Sequence, residues 1–123
     1  MRAGGARTWY FPDGYLPAKQ EGAALEAHES LMLLNVGDVA AHARIDIYFS
    51  DREPILGIAV EVPAERIIAL RMDAPTDLGG AEIPPLTQYA IRVTSDQNLV
   101  LQFGRLDTTQ ANLAYYGSNG FHE

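Results

Sequence analysis

The sequence has no cysteine, only one lysine and no long apolar run. The absence of cysteine excludes disulfides, a thiol nucleophile and cysteine-ligated zinc or iron–sulfur sites. No segment approaches the roughly 20 apolar residues that span a bilayer, and the first residues lack the apolar stretch of a signal peptide. The 16 acidic and 9 basic residues give a net charge of -7, which disfavours nucleic acids and anionic membranes. We therefore expect a soluble, cytoplasmic protein.

The common signatures of catalysis are also missing. The three histidines show no metal-ligand spacing, and no serine lies in a nucleophile-elbow context. The Gly79-Gly80 pair lies in a proline-rich loop and does not open a phosphate-binding helix. Asp51 and Glu53 resemble paired glycosidase carboxylates, but they flank Arg52 and read better as a solvated charge cluster that ends a strand. We predict no enzyme, no catalytic residue, no metal and no cofactor.

What the chain does contain is alternation of apolar and polar residues. Ala43, Ile45, Ile47 and Phe49 alternate with polar neighbours, as in a strand with one buried face, and similar alternation recurs along the chain. The pattern predicts an all-β fold: a single-domain antiparallel β-sandwich of about eight strands over residues 1–123. The predicted core consists of Leu33, Ile45, Ile47, Phe49, Val60, Leu70, Ile91, Leu99, Leu101 and Phe103.

Turn residues divide the predicted strands from one another. Proline, aspartate and glycine at positions 12–14 are expected to end a first strand over residues 7–11. A polar run at positions 95–98, Ser-Asp-Gln-Asn, is expected to turn the chain between two later strands.

Arg105 is the main anomaly in this pattern. It follows Leu99, Leu101 and Phe103 on the predicted inward face of a strand, so its charge needs a partner, an exposed strand end or a ligand. Asp107, two residues further on the same face, is the predicted partner. The pair is either a structural ion pair at the rim, a subunit contact, or the floor of a small-ligand site. The sequence leaves these interpretations open.

Three further residues would complete such a ligand site: Trp9, His28 and Gln110. We predict that Trp9 or His28 walls a shallow polar pocket beside Arg105. A guanidinium, a carboxylate and an amide together offer the donors and acceptors that a polyol or carboxylate ligand requires. Trp9 could equally be a core residue or an interface anchor, and His28 an ordinary surface residue.

Several short pieces occur in a characteristic order over nearly the whole chain. They are Trp9, Asp13-Gly14-Tyr15-Leu16-Pro17, His28-Glu29, Leu34-Asn35-Val36-Gly37-Asp38, Tyr48-Phe49-Ser50-Asp51-Arg52-Glu53-Pro54, Val62-Pro63-Ala64-Glu65-Arg66, and Arg105-Leu106-Asp107 followed by Gln110. Together they resemble the Anabaena sensory rhodopsin transducer family of small β-sandwich proteins.

The resemblance implies an eight-stranded sandwich, a homotetramer, and one of two non-enzymatic functions. The first is binding of a small polar ligand such as a sugar or related metabolite, for which the residues themselves offer the site described above: Arg105, Asp107, Trp9, His28 and Gln110. The alternative is a cytoplasmic transducer that binds a microbial sensory rhodopsin. An uncharacterised enzyme or a DNA-binding regulator is a further alternative, and the net charge opposes DNA. Apolar residues left over from the predicted core also indicate a homo-oligomer: Val36, Ile67, Val100, Tyr115 and Tyr116.

Overall fold

A computed structural model of the chain describes residues 4–18, 26–108 and 114–123. The described residues form antiparallel strands and one short 3-10 helix, Pro75–Leu78. This confirms the predicted all-β fold. None of the helices in these ranges is long and apolar enough to cross a membrane. The strands are β1 Ala6–Tyr15, β2 His28–Asn35, β3 Ala41–Phe49, β4 Ile55–Val62, β5 Arg66–Arg71, β6 Gln88–Asp107, β7 Ala114–Ser118 and β8 Phe121–His122.

The strands form two layers that share one long strand. The first sheet has the order β4-β3-β6-β1-β8. The second sheet has the order β5-β2-β6-β7. The first half of β6 lies between β3 and β1, and its second half lies between β2 and β7. β6 therefore joins the two layers. Residues in its C-terminal half belong to the second sheet.

The predicted turn at positions 95–98 was wrong, because β6 runs through it as one strand of 20 residues. Ser95 pairs with Ala43 in the first sheet, and by Val100 the partner is Leu34 in the second sheet. The register along β1 shifts at the same place. Corners of sandwiches are made by strands that change sheets at such bends. The polar run therefore marks a bend between the two layers. Residues of this type are compatible both with a turn that reverses the chain and with a bend within one strand.

The predicted break at positions 12–14 was also wrong. β1 continues to Tyr15, with a register shift between Phe11 and Gly14 in its pairing with β6. A bulge of this kind accommodates an extra residue and bends the strand without ending it. The continuation carries Tyr15 alongside the end of the sandwich where β2 begins.

The core lies between the two sheets and agrees with the alternation in the sequence. Eight of the ten predicted core residues are buried, whereas Phe49 and Val60 are partly buried and pack against the core. The inward positions of β2 are Glu29, Leu31, Leu33 and Asn35, and all four are buried. Two polar side chains, one at each end of β2, therefore project into an otherwise apolar layer.

Candidate functional site

Arg105 lies in the second half of β6, directly opposite Glu29 of β2. Its Nε donates a hydrogen bond of 2.7 Å to Glu29 Oε2, and the two side chains form an ion pair. The structure thus corrects the predicted partner of Arg105 from Asp107 to Glu29. Residues two apart on a strand are separated by about 7 Å, whereas directly opposite residues bring their Cβ atoms to about 5 Å. Glu29 is therefore the better placed carboxylate.

Glu29 has no exposed side-chain surface and is surrounded by donors. Besides Arg105, the hydroxyl of Tyr89 donates to Oε1 at 2.6 Å. The backbone N–H of Tyr15 donates to both carboxylate oxygens, at 3.1 and 3.2 Å. Burial, with the adjacent charge of Glu29, raises the pKa of Tyr89 far above its ordinary value, so its hydroxyl stays protonated and donates. A buried carboxylate needs this degree of compensation for its lost hydration.

Gly14 allows β1 to approach this network closely. A Cβ atom at position 14 would lie 2.6 Å from the Tyr89 ring, a distance that such atoms do not adopt without a shift of the ring. The missing side chain lets the ring lie under the strand with its hydroxyl on Glu29. The neighbouring N–H of Tyr15 then reaches the same carboxylate. Three of the segments that carry the family resemblance, at positions 13–17, 28–29 and 105–107, therefore meet around the buried carboxylate of Glu29.

The Arg105 guanidinium keeps donors that this network does not use. Its side chain is 26% exposed, and only Nε donates to Glu29. The described ranges offer no hydrogen-bond acceptor to its two terminal nitrogens. Burial alone would lower the pKa of Arg105, but the hydrogen bond and charge of Glu29 raise it, with a smaller contribution from Asp13. The result is a fixed, charged guanidinium whose two terminal nitrogens have no acceptor among residues 4–18, 26–108 and 114–123.

The other predicted site residues do not all gather at Arg105. His28 is half-buried next to Glu29 on β2, and its Nδ1 lies 2.8 Å from the carbonyl oxygen of Glu26. Trp9 is buried elsewhere: its Nε1 donates to the carbonyl oxygens of Ala6 and Leu99, at 3.2 and 3.0 Å. Leu99 lies six residues from Arg105 along β6, about 20 Å at the rise of a strand.

Trp9 does not form the predicted wall beside Arg105, because it packs against His122 with ring centroids 4.8 Å apart. His28 is adjacent to Glu29 but lies on the opposite face of β2, since neighbouring strand residues alternate. The fifth predicted residue, Gln110, lies outside the described residues.

Asn35 organises the other end of β2. Its fully buried amide donates to the carbonyl oxygens of Val39 and Val62, at 2.9 and 3.0 Å, and its Oδ1 accepts from the N–H of Gly37 at 2.9 Å. The N–H of Glu65 in turn donates to the carbonyl oxygen of Gly37. Two more of the segments that carry the family resemblance, at positions 34–38 and 62–66, are thus connected by hydrogen bonds of the Asn35 side chain.

A cleft formed by the described residues lies beside this loop and not at Arg105. It has a volume of about 920 Å³ and is lined by residues 35–39 together with Arg7, Glu65, Asn98, His122 and Glu123. It is an open groove, and the polar side chain that Asn35 contributes to the region is already fully bonded. We therefore place the candidate site at Arg105, where donors remain available.

The described ranges contain no group of three or more histidine, aspartate or glutamate side chains arranged to hold a metal ion. Glu29 is shielded from solvent by its own donors, and Asp51 pairs with the adjacent Arg52 as the sequence suggested. The geometry at Arg105 is suited to recognising an anionic or hydroxyl-rich group by hydrogen bonds.

Comparison with known proteins places these features in a family. Residues 4–122 match the sequence profile of the family described as Anabaena sensory rhodopsin transducer. The crystal structure of Thermotoga maritima 1070 superposes with a TM-score of 0.85 at 36% identity, covering 98% of this chain and 97% of that one. The Anabaena sensory rhodopsin transducer superposes with a TM-score of 0.72 at 35% identity, covering 84% of this chain and 97% of that one.

No curated protein matches the chain. The family match extends over nearly the whole sequence, and both solved structures share the fold at more than one third identity. The chain belongs to the Anabaena sensory rhodopsin transducer family.

Proposed function

We propose that the chain is a non-enzymatic signal transducer that acts by binding a partner protein, and that this partner is a microbial sensory rhodopsin. The observation that carries the proposal is the 35% identity, over 84% of this chain, to the Anabaena sensory rhodopsin transducer. The name of that relative states a partner, and the family match gives this chain the same type of domain. We also propose a cytoplasmic location, where the chain would meet the inner surface of the receptor.

Apolar residues on the outward face of the second sheet support a protein-binding role. Ile67 and Val100 are exposed, and they flank the half-buried Leu34 in adjacent strands. Tyr115 of β7 is exposed on the same sheet. Contiguous exposed apolar surface usually marks an interface with another protein.

The partner proposal predicts that the purified chain binds the rhodopsin encoded in the same genome. Isothermal titration into nanodiscs that contain this rhodopsin should give saturable heat with a dissociation constant of about 10 μM or tighter. Empty nanodiscs of the same lipids are the control, and the net charge of -7 should keep the chain from binding anionic lipids. Absence of binding, or equal binding to empty discs, would contradict the proposal, and so would a source genome that encodes no rhodopsin.

A second candidate function is binding of a small polar ligand, such as a sugar or a related metabolite, at Arg105. The terminal nitrogens of this side chain favour it, because Glu29 fixes the guanidinium through Nε and the described residues offer the other two nitrogens no acceptor. A planar guanidinium recognises a carboxylate or a pair of hydroxyls by two parallel hydrogen bonds. Asp107 is proposed as a neighbour in this site, together with Gln110. The other two predicted ligand residues are not included, because Trp9 lies in the core near Leu99 and His28 lies on the opposite face of β2.

The ligand proposal predicts a metabolite-dependent rise in melting temperature. A ligand at 100 times its dissociation constant stabilises the folded state by about 2.7 kcal/mol. Arg105→Lys should retain the ion pair with Glu29 but weaken binding of the same ligand at least tenfold, since an ammonium lacks the planar fork. Arg52→Lys is the matched control, because Arg52 is exposed and pairs with the adjacent Asp51. Equal affinity of Arg105→Lys and wild type would remove Arg105 from the site.

The chain is further proposed to form a single domain over residues 1–123 and to assemble as a homo-oligomer, with a tetramer as the expected state. All five residues predicted to be left over from the core are exposed, which supports self-association. Light scattering that finds only a 13.4 kDa species at micromolar concentration would contradict the assembly.

A further inference from the structure

The link Asn119-Gly120 joins β7 in the second sheet to β8 in the first. Asn119 is exposed, and its carboxamide makes no hydrogen bond to residues in the described ranges. When glycine follows an asparagine, its backbone nitrogen reaches the side-chain carbonyl carbon readily, because glycine has no Cβ to hinder the approach. This link therefore holds the two groups that cyclise when an asparagine loses its amide nitrogen.

The backbone N–H of Gly120 is directed away from β1. The N–H of Glu123 donates to the carbonyl oxygen of Thr8 at 3.0 Å. Tyr10 lies opposite Phe121 in the same antiparallel ladder, where hydrogen-bonded pairs alternate with non-bonded ones. The pair of Tyr10 and Phe121 is therefore bonded, and Gly120 takes a non-bonded position. Within residues 4–18, 26–108 and 114–123 its N–H has no acceptor, so no hydrogen bond of the fold hinders its reaction.

Packing against β1 requires glycine at position 120. A Cβ atom there would lie 2.7 Å from the ring of Phe11 and 2.8 Å from the carbonyl oxygen of Tyr10. Real Cβ atoms do not adopt such distances, so any other residue would displace β8 from β1. The fold thus retains, directly after Asn119, the residue that leaves this asparagine most reactive.

We propose that Asn119 is a site of spontaneous covalent modification, where ring closure with Gly120 yields isoaspartate and releases β8 from β1. The deprotonated nitrogen of Gly120 attacks Cγ of Asn119, a C–N bond forms, and the amide nitrogen leaves as ammonia. Water then opens the resulting succinimide. Attack of water at the backbone carbonyl carbon of Asn119 breaks its bond to the Gly120 nitrogen, so that the chain now runs through Cβ and Cγ. No oxidant or reductant takes part.

Isoaspartate lengthens the backbone between two strands that are held in different sheets. β7 pairs with β6 and β8 pairs with β1, so an added backbone carbon shifts one strand against its partner. β8 is the strand that moves, because it has only two residues. Its flanking contacts are few: the His122 ring packs against Trp9, and the Tyr10 hydroxyl donates to Glu123 Oε1 at 2.8 Å.

Release of β8 also changes the cleft beside residues 35–39. His122 and Glu123 line this cleft, and both belong to the segment that isoaspartate displaces. The modified chain therefore differs from the unmodified one in a wider cleft and in a less protected edge of β1.

The modification site is tested by incubating the purified chain in mildly alkaline buffer. Peptides are mapped by mass spectrometry, and isoaspartate is identified by enzymatic methylation of its carboxylate. Asn119 is expected to convert at least tenfold faster than Asn98 or Asn35 of the same chain. These two asparagines precede Leu99 and Val36, whose side chains hinder ring closure. Asn119→Gln is the matched variant and should remain unmodified at this position, because its longer side chain requires a larger ring that closes slowly.

Hydrogen exchange of the Glu123 N–H reports whether β8 remains on β1, because this group donates to the carbonyl oxygen of Thr8. In the purified isoaspartyl form, exchange should be at least tenfold faster than in wild type. Asn119→Asp, measured before it isomerises, carries the new charge on an ordinary backbone and should exchange as wild type does. The Met72 N–H, which donates to Glu29 in the second sheet, is the internal control and should be unaffected.

Two outcomes would contradict separate parts of this inference. Conversion of Asn119 no faster than that of Asn98 would overturn the modification site. If Asn119 does convert, but the Glu123 N–H of the isoaspartyl form exchanges no faster than in wild type or in Asn119→Asp, the release of β8 by a lengthened backbone is overturned.

Discussion

Replacing Glu29 with alanine is expected to lower the free energy of unfolding by about 3–5 kcal/mol, the range for removing one partner of a buried ion pair. The change leaves the Arg105 guanidinium without its counter-charge and removes the acceptor of the Tyr89 hydroxyl and the Tyr15 N–H. It also opens a cavity at a side chain with no exposed surface. Since domains of this type are stable by about 5–15 kcal/mol, a large share of the total is lost.

Urea denaturation followed by the fluorescence of Trp9, the single tryptophan and a buried one, measures this loss. Glu61→Ala is the control, since Glu61 is exposed and contacts the exposed His42; its effect should lie near the error of measurement. In a double-mutant cycle, Glu29→Ala and Arg105→Ala together should destabilise less than the sum of the two single changes. A loss below about 1 kcal/mol for Glu29→Ala would show that the network contributes little to stability.

Asn35→Ala is expected to destabilise the fold by about 2–4 kcal/mol, the second largest effect. It deprives the Gly37 N–H of its acceptor and the carbonyl oxygens of Val39 and Val62 of their donors. Buried groups left unsatisfied cost about 1–3 kcal/mol each, and part of this loop regains water after the change. Amide hydrogen exchange at Gly37 should become faster than in wild type, because the local restraint is lost as well.

The matched control for this change is Asn119→Ala, since Asn119 is exposed outside the regular strands. It should leave both the urea midpoint and the exchange rate of Gly37 unchanged. An unchanged midpoint for Asn35→Ala itself would mean that the link between residues 34–38 and 62–66 is maintained without this side chain.

Alternation along single strands gave most of the core but not the path of the chain between sheets. Ile45, Ile47 and Leu99 are buried as predicted, because a period of two needs only local sequence to be recognised. The polar run at 95–98 was misinterpreted as a turn because turn residues also suit a bend within a strand. The choice between the two is made by distant partners, here Ala43 and Leu34, which local sequence does not reveal.

Of the two charged residues at the candidate site, Arg105 and Glu29, the sequence predicts only Arg105. The alternation identifies Arg105 as an inward arginine that requires a partner, but local sequence offers only nearby carboxylates such as Asp107 for that role. Glu29 carried the same signal, since it lies two positions before Leu31 and four before Leu33 on the inward face of β2. Two inward charges of opposite sign on different strands would have identified the pair. Their register required the pairing of β2 with β6, which only the fold supplies.

The long β6 strand also determines when the chain can fold during synthesis. It lies between β1 and β3 in one sheet and between β2 and β7 in the other, yet it comes after five of the other strands in sequence. Before it leaves the ribosome, the nascent chain can form only the β2–β5 and β3–β4 pairs. The first sheet has no central strand until Leu99 has been made, and the second has none until Asp107 has been made, so folding is a late event dominated by slow, non-local pairing. Until then, the unpaired edges of these strands are exposed, and such edges are prone to aggregation.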